Sequence, residues 1–349
     1  MYWQTLIRIK YLATLQLQYN ISLRQYNTFG LDVLAEQFSI INDVESLTEI
    51  LRIGEKKLIV LGGGSNVLFT GNIQGLVVRN EIPGINKTSE DDKYVYVTAG
   101  AGVNWHLFVM YCIENNYAGV ENLALIPGSV GASPMQNIGA YGVELKDVFH
   151  SLNAIHRRER KIVSFTNDAC EFGYRESVFK LKYKDEFVIT DVTFRLRKQP
   201  VYNTSYGAIE SELEKMGVQE LSVKAIAKAV MNIRKSKLPD PAVIGNAGSF
   251  FKNPEVGEDV YLQLKSQFPS IAAYKTSKGY KLAAAWLIEQ CGWKGYRKED
   301  AGCHDRQPLV LVNYGHATGA ELLDLSSLIM SSVEQKFNVR LEREVNVIT

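Results

Sequence analysis

The sequence predicts an α+β protein, and three observations carry that prediction. Helical and strand patterns alternate, yet several strands follow one another with no helix between them. A buried-strand pattern ends abruptly in the glycine run GGGSN at 62–66. The stretch KLPDP at 237–241, with prolines flanking Asp240, breaks the chain ahead of a last section that has its own helices and strands. At 349 residues the chain is long enough for two or three domains, and no internal repeat is visible.

The elements follow in order. DVESLTEILRI (43–53) puts Leu47, Ile50 and Leu51 on one helical face behind an acidic start. KKLIVL (56–61) reads as a buried strand, and GLVVRN and KYVYVTAGAG as two more. NWHLFVMYCIENNY predicts a helix capped by Asn104, with Trp105, Phe108, Val109 and Cys112 on one side. Residues 119–142 form a long loop rich in glycine, a length that is uncommon in a compact domain unless the loop binds something. Strands follow around 150–165 and 186–197. LSVKAIAKAVMNIRKSK is a helix that gathers Arg234, Lys235 and Lys237 at its end, where cations offset the helix dipole. Beyond the break the pattern predicts a helix at 278–291, a strand at 308–313, a helix at 319–337 and a final strand VRLEREVNVI.

Composition removes several functional classes. Thirty-nine basic against 38 acidic residues leave a net charge of +1, which gives no electrostatic case for a nucleic-acid partner and makes any anion site local. Cysteines 112, 170, 291 and 303 include no C-x-x-C pair, and the five histidines show no ligand spacing, so no metal is expected and the thiols fit a reducing compartment. Arg8 and Lys10 interrupt the apolar N-terminal stretch, and no other segment has the length of a membrane span. The expectation is a cytoplasmic protein whose residues 1–21 are an extension of unknown role.

Two short stretches suggest chemistry. In GGGSN the glycines can turn backbone N–H groups toward a phosphate, although the stretch is neither a Walker loop nor a dinucleotide fingerprint. In NAGSFFKNP (246–254) Ser249 follows an Asn-Ala-Gly run that reads as flexible, and it lacks the G-x-S-x-G context of a hydrolase nucleophile. Taken singly, Ser249 is a turn serine, Arg175 a surface cation and Glu344 part of a polar strand face with Arg340 and Glu342.

Taken together, NTFG (27–30), LGGGSNVL (61–68), ENLALIPGSVGASPMQNIGAYG (121–142), FGYRES (172–177), KLPDP, NAGSFFKNP and LEREV (341–345) form an ordered series over about residues 22–348. The series closely resembles the UDP-N-acetylenolpyruvoylglucosamine reductases, flavoenzymes of peptidoglycan synthesis, and specifically the branch with a tyrosine lid loop. The resemblance implies a two-part FAD-binding fold of the vanillyl-alcohol-oxidase type, at 22–89 and 90–237. It also implies an α/β substrate-binding domain at 238–349, whose last strand can return to the FAD-binding part.

FAD would be bound non-covalently, with NADPH as reductant. Thr28, Gly62, Gly63, Gly64, Ser65, Asn66, Val67, Gly128, Ser129, Ser133, Asn137 and Gly139 match cofactor-binding positions. Ser249 matches the donor of a proton to C2 of UDP-N-acetylglucosamine enolpyruvate, after hydride reaches C3 from the flavin. Arg175 and Glu344 match the groups that flank the substrate carboxylate. Tyr141, Tyr174, Tyr206, Arg234, Lys237, Asn253, Lys294 and Gln307 match or suit contacts to the nucleotides. Two departures from the family pattern stand out: Ala132 where many relatives have a hydroxyl, and Arg343 directly before Glu344.

The expected enzyme is a monomer with neither nucleic-acid nor membrane partners. A carbohydrate oxidase of the same fold would often attach flavin through histidine, and residues 62–66 and 128–142 contain none. A non-catalytic nucleotide-sugar binder would be expected to have lost Ser249, Arg175 or Glu344, and all three are present.

Overall fold

The helix Val44–Ile53 begins where sequence periodicity places it, because Asp43 accepts from the Ser46 N–H and Ser46 reciprocates as a capping box. It buries Leu47, Ile50 and Leu51 with Ile41, Leu76 and Val78. The computed structural model describes residues 17–54 and 57–349, so the extension expected at 1–21 lies mostly outside the described residues. The chain divides into two units.

The first unit comprises Ala35–Gly63 and Ile73–Ser236, with described residues 17–21. Its first sheet has the order Gln18–Ser22, Leu34–Ile41, Ile73–Asn80, Leu58–Leu61. The last three strands are mutually parallel, which requires crossover connections of the kind Val44–Ile53 provides. Its second sheet is antiparallel, in the order Ile162–Thr166, Phe149–His156, Phe187–Arg197, Tyr94–Gly100, Ile85–Glu90. Val95, Val97 and Ala99 alternate inward from Tyr94–Gly100 toward a core of Trp105, Phe108 and Phe194. The Phe108 and Phe194 ring centres are 4.3 Å apart. Helix Val223–Lys237 adds Ile226, Val230 and Ile233 to this core.

The second unit comprises Ser22–Leu34, Gly64–Asn72 and Lys237–Thr349. Gly245–Ser249, Val310–Asn313, Ala301–Cys303 and Arg297–Lys298 form an antiparallel sheet. Helix Gly319–Phe337 buries Leu322, Leu325, Ile329 and Val333, the stripe read from the sequence. Asn346–Ile348 pairs in parallel with Val67–Phe69.

Two expectations are corrected. The helix expected at 278–291 starts only at Ala284, because Tyr280–Leu282 is instead the middle strand of a three-stranded sheet. The reason is local packing: at Gly279 φ is 146°, and a Cβ there would lie 2.2 Å from the Val256 carbonyl oxygen. The last strand shortens to Asn346–Ile348, and the preceding segment is held by single contacts such as the Phe251–Arg343 bridge.

In the second unit, the turn after Arg24–Tyr26 depends on one side chain. Asn27, 6% exposed, donates to the Leu23 and Leu31 carbonyls at 2.8 and 2.9 Å and accepts from the Leu31 N–H at 3.0 Å. Asn27→Ala leaves three buried backbone groups without these partners and is expected to cost about 2–3 kcal/mol, read as a lowered urea midpoint. An unchanged midpoint would show that the turn holds itself.

Candidate active site

In the first unit two loops meet at backbone distance. A Cβ on Gly62 would lie 2.3 Å from Ser129 Oγ, and one on Gly63 2.5 Å from Gly128 Cα, so any larger residue forces the loops apart. The Arg79 guanidinium donates to the Gly62 carbonyl and holds the loop from the other side. A pocket of about 140 Å³ is lined by Gly62, Ser129, Gly131 and Ala132, with Arg157 and Tyr183 also on its wall. Ser129 is 5% exposed, and among the described residues its hydroxyl is the buried side-chain oxygen with no hydrogen-bond partner. A native protein rarely leaves such a group unmet, so the hydroxyl fits a polar ligand group in this pocket. Ser133, by contrast, donates to the Val130 carbonyl at 2.7 Å and is satisfied internally. The glycine cradle and the unmet hydroxyl fit FAD. Arg157, which the sequence reading passed over, is half-buried and spends its guanidinium on the Asp185 and Leu58 carbonyls at 2.8 and 2.9 Å.

Asn137 holds the neighbouring loops. Fully buried, with φ 44°, it donates to Glu144 Oε2 at 3.0 Å and to the Gly173 carbonyl at 2.9 Å, and accepts from the Lys146 N–H at 3.0 Å. Gly173 and Glu176 close a tight turn with Tyr174 and Arg175 at its tip. Arg175 has φ 57°, in the region where turns ordinarily place glycine. Its Nη2 donates to the Gly139 carbonyl at 2.6 Å, and its guanidinium carbon lies 5.4 Å from the centre of the Tyr174 ring.

Tyr141, at φ 51°, meets the exposed Tyr206 edge-on with ring centres 5.4 Å apart. Burial pushes the Tyr141 phenol up, opposed by the Arg234 guanidinium hydrogen-bonded to it. Arg234 also donates to the Leu125 carbonyl at 3.2 Å, so this candidate diphosphate partner is engaged within its own unit. Asn122, 1% exposed, donates to the Tyr141 and Asn203 carbonyls, each at 2.9 Å, and thereby ties the two tyrosine-bearing loops together. Sequence reading missed Asn122; its only signal was a polar residue flanked by Val120, Leu123 and Ala124.

The second unit carries the other half of the glycine run. Thr28 donates its N–H to the Gly64 carbonyl at 3.1 Å and accepts from the Asn246 N–H at 3.0 Å. Ser65 follows Gly64 in the same turn. Asn66 donates to the Glu344 carbonyl at 3.3 Å, and Val67 pairs with Asn346.

The Asn-Ala-Gly run ahead of Ser249 is pinned rather than flexible. Asn246, 2% exposed, donates to the Pro239 and Ile244 carbonyls at 3.3 and 2.8 Å and accepts from the Gly248 N–H at 2.9 Å. Ser249 sits half-buried opposite Val310, past a register irregularity. Phe250 and Phe251, at 0% and 1% exposure, anchor the segment beneath it. The Phe250 N–H donates to the Leu309 carbonyl at 2.7 Å, and its carbonyl accepts from the Glu344 N–H at 2.8 Å. The segments that carry Ser249 and Glu344 are thus tied together, with Phe250 opposite Glu344.

Arg343 turns toward Ser326 and Ser327, at 2.8 and 2.7 Å, which gives the charged residue before Glu344 a structural place on helix Gly319–Phe337. Asn253 accepts from the Ala284 N–H at 2.9 Å and so starts helix Ala284–Gln290. Lys294 pairs with Glu289 at 2.7 Å, Lys237 is exposed at a helix end, and Gln307 lies in the turn before Val310. Among the described residues no cluster suits a metal ion, and no helix is long and apolar enough to cross a membrane.

A glycine-lined pocket with an unmet hydroxyl, and residues 37–163 that match the family model described as FAD binding domain, define an FAD-dependent oxidoreductase. Residues 240–348 match the C-terminal domain of UDP-N-acetylenolpyruvoylglucosamine reductase. The chain is 48% identical to the UDP-N-acetylenolpyruvoylglucosamine reductase of Amoebophilus asiaticus, over 96% of this chain and 100% of that protein. The reductase of Flavobacterium johnsoniae is 48% identical over the same shares. The solved reductase of Thermus caldophilus shares the fold, with a TM-score of 0.69 at 22% identity over 96% of this chain and 100% of that one. The chain belongs to the UDP-N-acetylenolpyruvoylglucosamine reductase family.

Ser129→Ala is expected to weaken FAD binding roughly 5- to 30-fold, the worth of about 1–2 kcal/mol for one hydrogen bond, while the apoprotein melts as before. Titration by flavin fluorescence quenching reads it, and an unaltered Kd would take Ser129 out of the cofactor site.

Proposed function

We propose that this protein performs the NADPH-dependent reduction of UDP-N-acetylglucosamine enolpyruvate to UDP-N-acetylmuramate in the cytoplasm, as a monomer. The observation that carries the reading is the lock between the Ser249 and Glu344 segments, through the 2.8 Å bond from the Glu344 N–H to the Phe250 carbonyl. Bound FAD supplies the redox chemistry: it accepts reducing equivalents from NADPH and provides hydride for C3 of the enol ether.

The chain's own residues do the rest. Ser249 donates its hydroxyl proton to C2. An alcohol is a weak acid, but the carbon it protonates is far more basic once C3 has been reduced, so placement counts for more than acidity. Placement is what Asn246 and the two buried phenylalanines provide. Arg175 offsets the negative charge that builds on the substrate carboxylate, with one guanidinium nitrogen already oriented by Gly139. Glu344, tied to the Ser249 segment, orients the substrate or assists the proton transfer. Lys237 and Lys294 suit the diphosphate.

Anaerobic absorbance of the holoenzyme tests the whole reading. NADPH should bleach the flavin band, and adding the enolpyruvyl sugar should restore it; bleaching without recovery would discard the substrate. Ser249→Ala is expected to keep NADPH-driven bleaching near the parent rate and slow recovery by about 10³-fold, roughly 4 kcal/mol of barrier. Equal losses in both half-reactions would exclude Ser249 as the proton donor.

A further inference from the structure

The turn between strands Ala301–Cys303 and Val310–Asn313 is organised by a histidine. His304 is 5% exposed, and its Nδ1 accepts from the Arg306 N–H at 3.4 Å and the Gln307 N–H at 3.3 Å. A side-chain acceptor that gathers the N–H groups two and three residues ahead is the device by which Asn, Asp and Ser fix turns and helix starts. Here an imidazole fills the role, and an imidazole can accept at Nδ1 only while that nitrogen carries no proton. The ring proton then sits on Nε2, which lies 3.4 Å from Asp305 Oδ1.

What this turn holds is the support of the Ser249 strand. The His304 N–H donates to the Val310 carbonyl at 2.9 Å, and the Val310 N–H donates to the Gln307 carbonyl at 3.0 Å. Cys303 Sγ reaches the Pro308 carbonyl at 3.1 Å. Val310 pairs with Ser249, and the Leu309 carbonyl receives the Phe250 N–H. Gln307, a candidate substrate contact, and the carbonyl that anchors the residue after Ser249 therefore both hang on a turn closed by His304.

We propose that His304 is a positioning residue that, in its neutral form, fixes the 304–309 turn and through it the placement of Gln307 and Ser249. The inference rests on the proposed function for what those two residues do, but not for the turn itself.

The surroundings keep the ring neutral. Burial lowers the affinity of His304 for a second proton, Asp305 opposes that effect and Arg306 adds to it. Cys303, the titratable group on the strand leading into the turn, is pushed up to about 12 by burial and stays a thiol. Strands Gly245–Ser249 and Val310–Asn313 present no titratable side chain. With its folded pKa below the ordinary histidine value, the cap is intact at neutral pH and is lost as pH falls through that pKa.

The test uses the FAD-loaded enzyme and three readouts. Imidazole ¹⁵N NMR should show Nδ1 of His304 unprotonated at neutral pH and titrating below the ordinary histidine range. The KM for the enolpyruvyl sugar should rise by about tenfold per pH unit below that transition, while NADPH-driven flavin reduction does not follow it. His304→Asn, whose Oδ1 can accept the same N–H groups without titrating, should keep the neutral-pH KM within about twofold and abolish the acid rise. His304→Ala should raise KM at every pH.

A proton on Nδ1 at neutral pH overturns the proposal, as does an acid rise that persists in His304→Asn or an unchanged KM in His304→Ala. Failure of the parent enzyme to turn over the sugar would instead overturn the proposed function, and the NMR result would still decide the cap.

Discussion

A loop can present a reactive side chain in one place only if its own backbone N–H and C=O groups find partners, since no ladder supplies them. In this protein buried asparagines are the partners. Asn27, Asn122, Asn137 and Asn246 are each at most 6% exposed, and each bonds backbone groups of a candidate-site loop. An amide suits the task because it donates and accepts at once and carries no charge to desolvate. The glycines depend on this arrangement: Gly62 and Gly63 permit close approach of two loops, but permissiveness alone would leave those loops mobile.

Several left-handed backbone positions fall in the candidate-site loops. Leu125, Asn137, Tyr141 and Arg175 all have positive φ in the first unit, and each is restrained by a bond to a side chain or from one. Such conformations cost roughly 1–3 kcal/mol each and persist only where neighbours over-determine them. For Arg175 the surrounding turn does so from both ends, through Gly173 with Glu176 and through the Gly139 carbonyl. The left-handed backbone therefore aims a guanidinium that a relaxed turn would leave free to wander.

Much of the architecture was legible in the primary sequence. The stripes of Val44–Ile53 and Gly319–Phe337 and the alternation of Tyr94–Gly100 are short-range signals, and short-range periodicity survives into the fold. The ordered motifs drew attention to the glycine loops and offered Ser249, Arg175 and Glu344 as candidates. The 278–291 segment misled because its apolar residues fit a helix, whereas Gly279 and the partner strands Glu255–Val256 and Ala273–Lys275 draw Tyr280–Leu282 into a sheet. The run before Ser249 looked flexible for a similar reason: the bonds of Asn246 to Pro239 and Ile244 leave no composition signal.

The sequence by itself determined the α+β class, the family and the cofactor, because each is written in local pattern or in motifs that keep their order. Tertiary structure alone decided that Ser249 and Glu344 stand on adjoining segments, that Ser129 is buried without a partner, that Arg343 bonds to serines of helix Gly319–Phe337 and that His304 closes a turn. Those facts rest on hydrogen bonds between residues whose pairing depends on the packing of whole elements, and no local pattern records which buried donor will meet which acceptor.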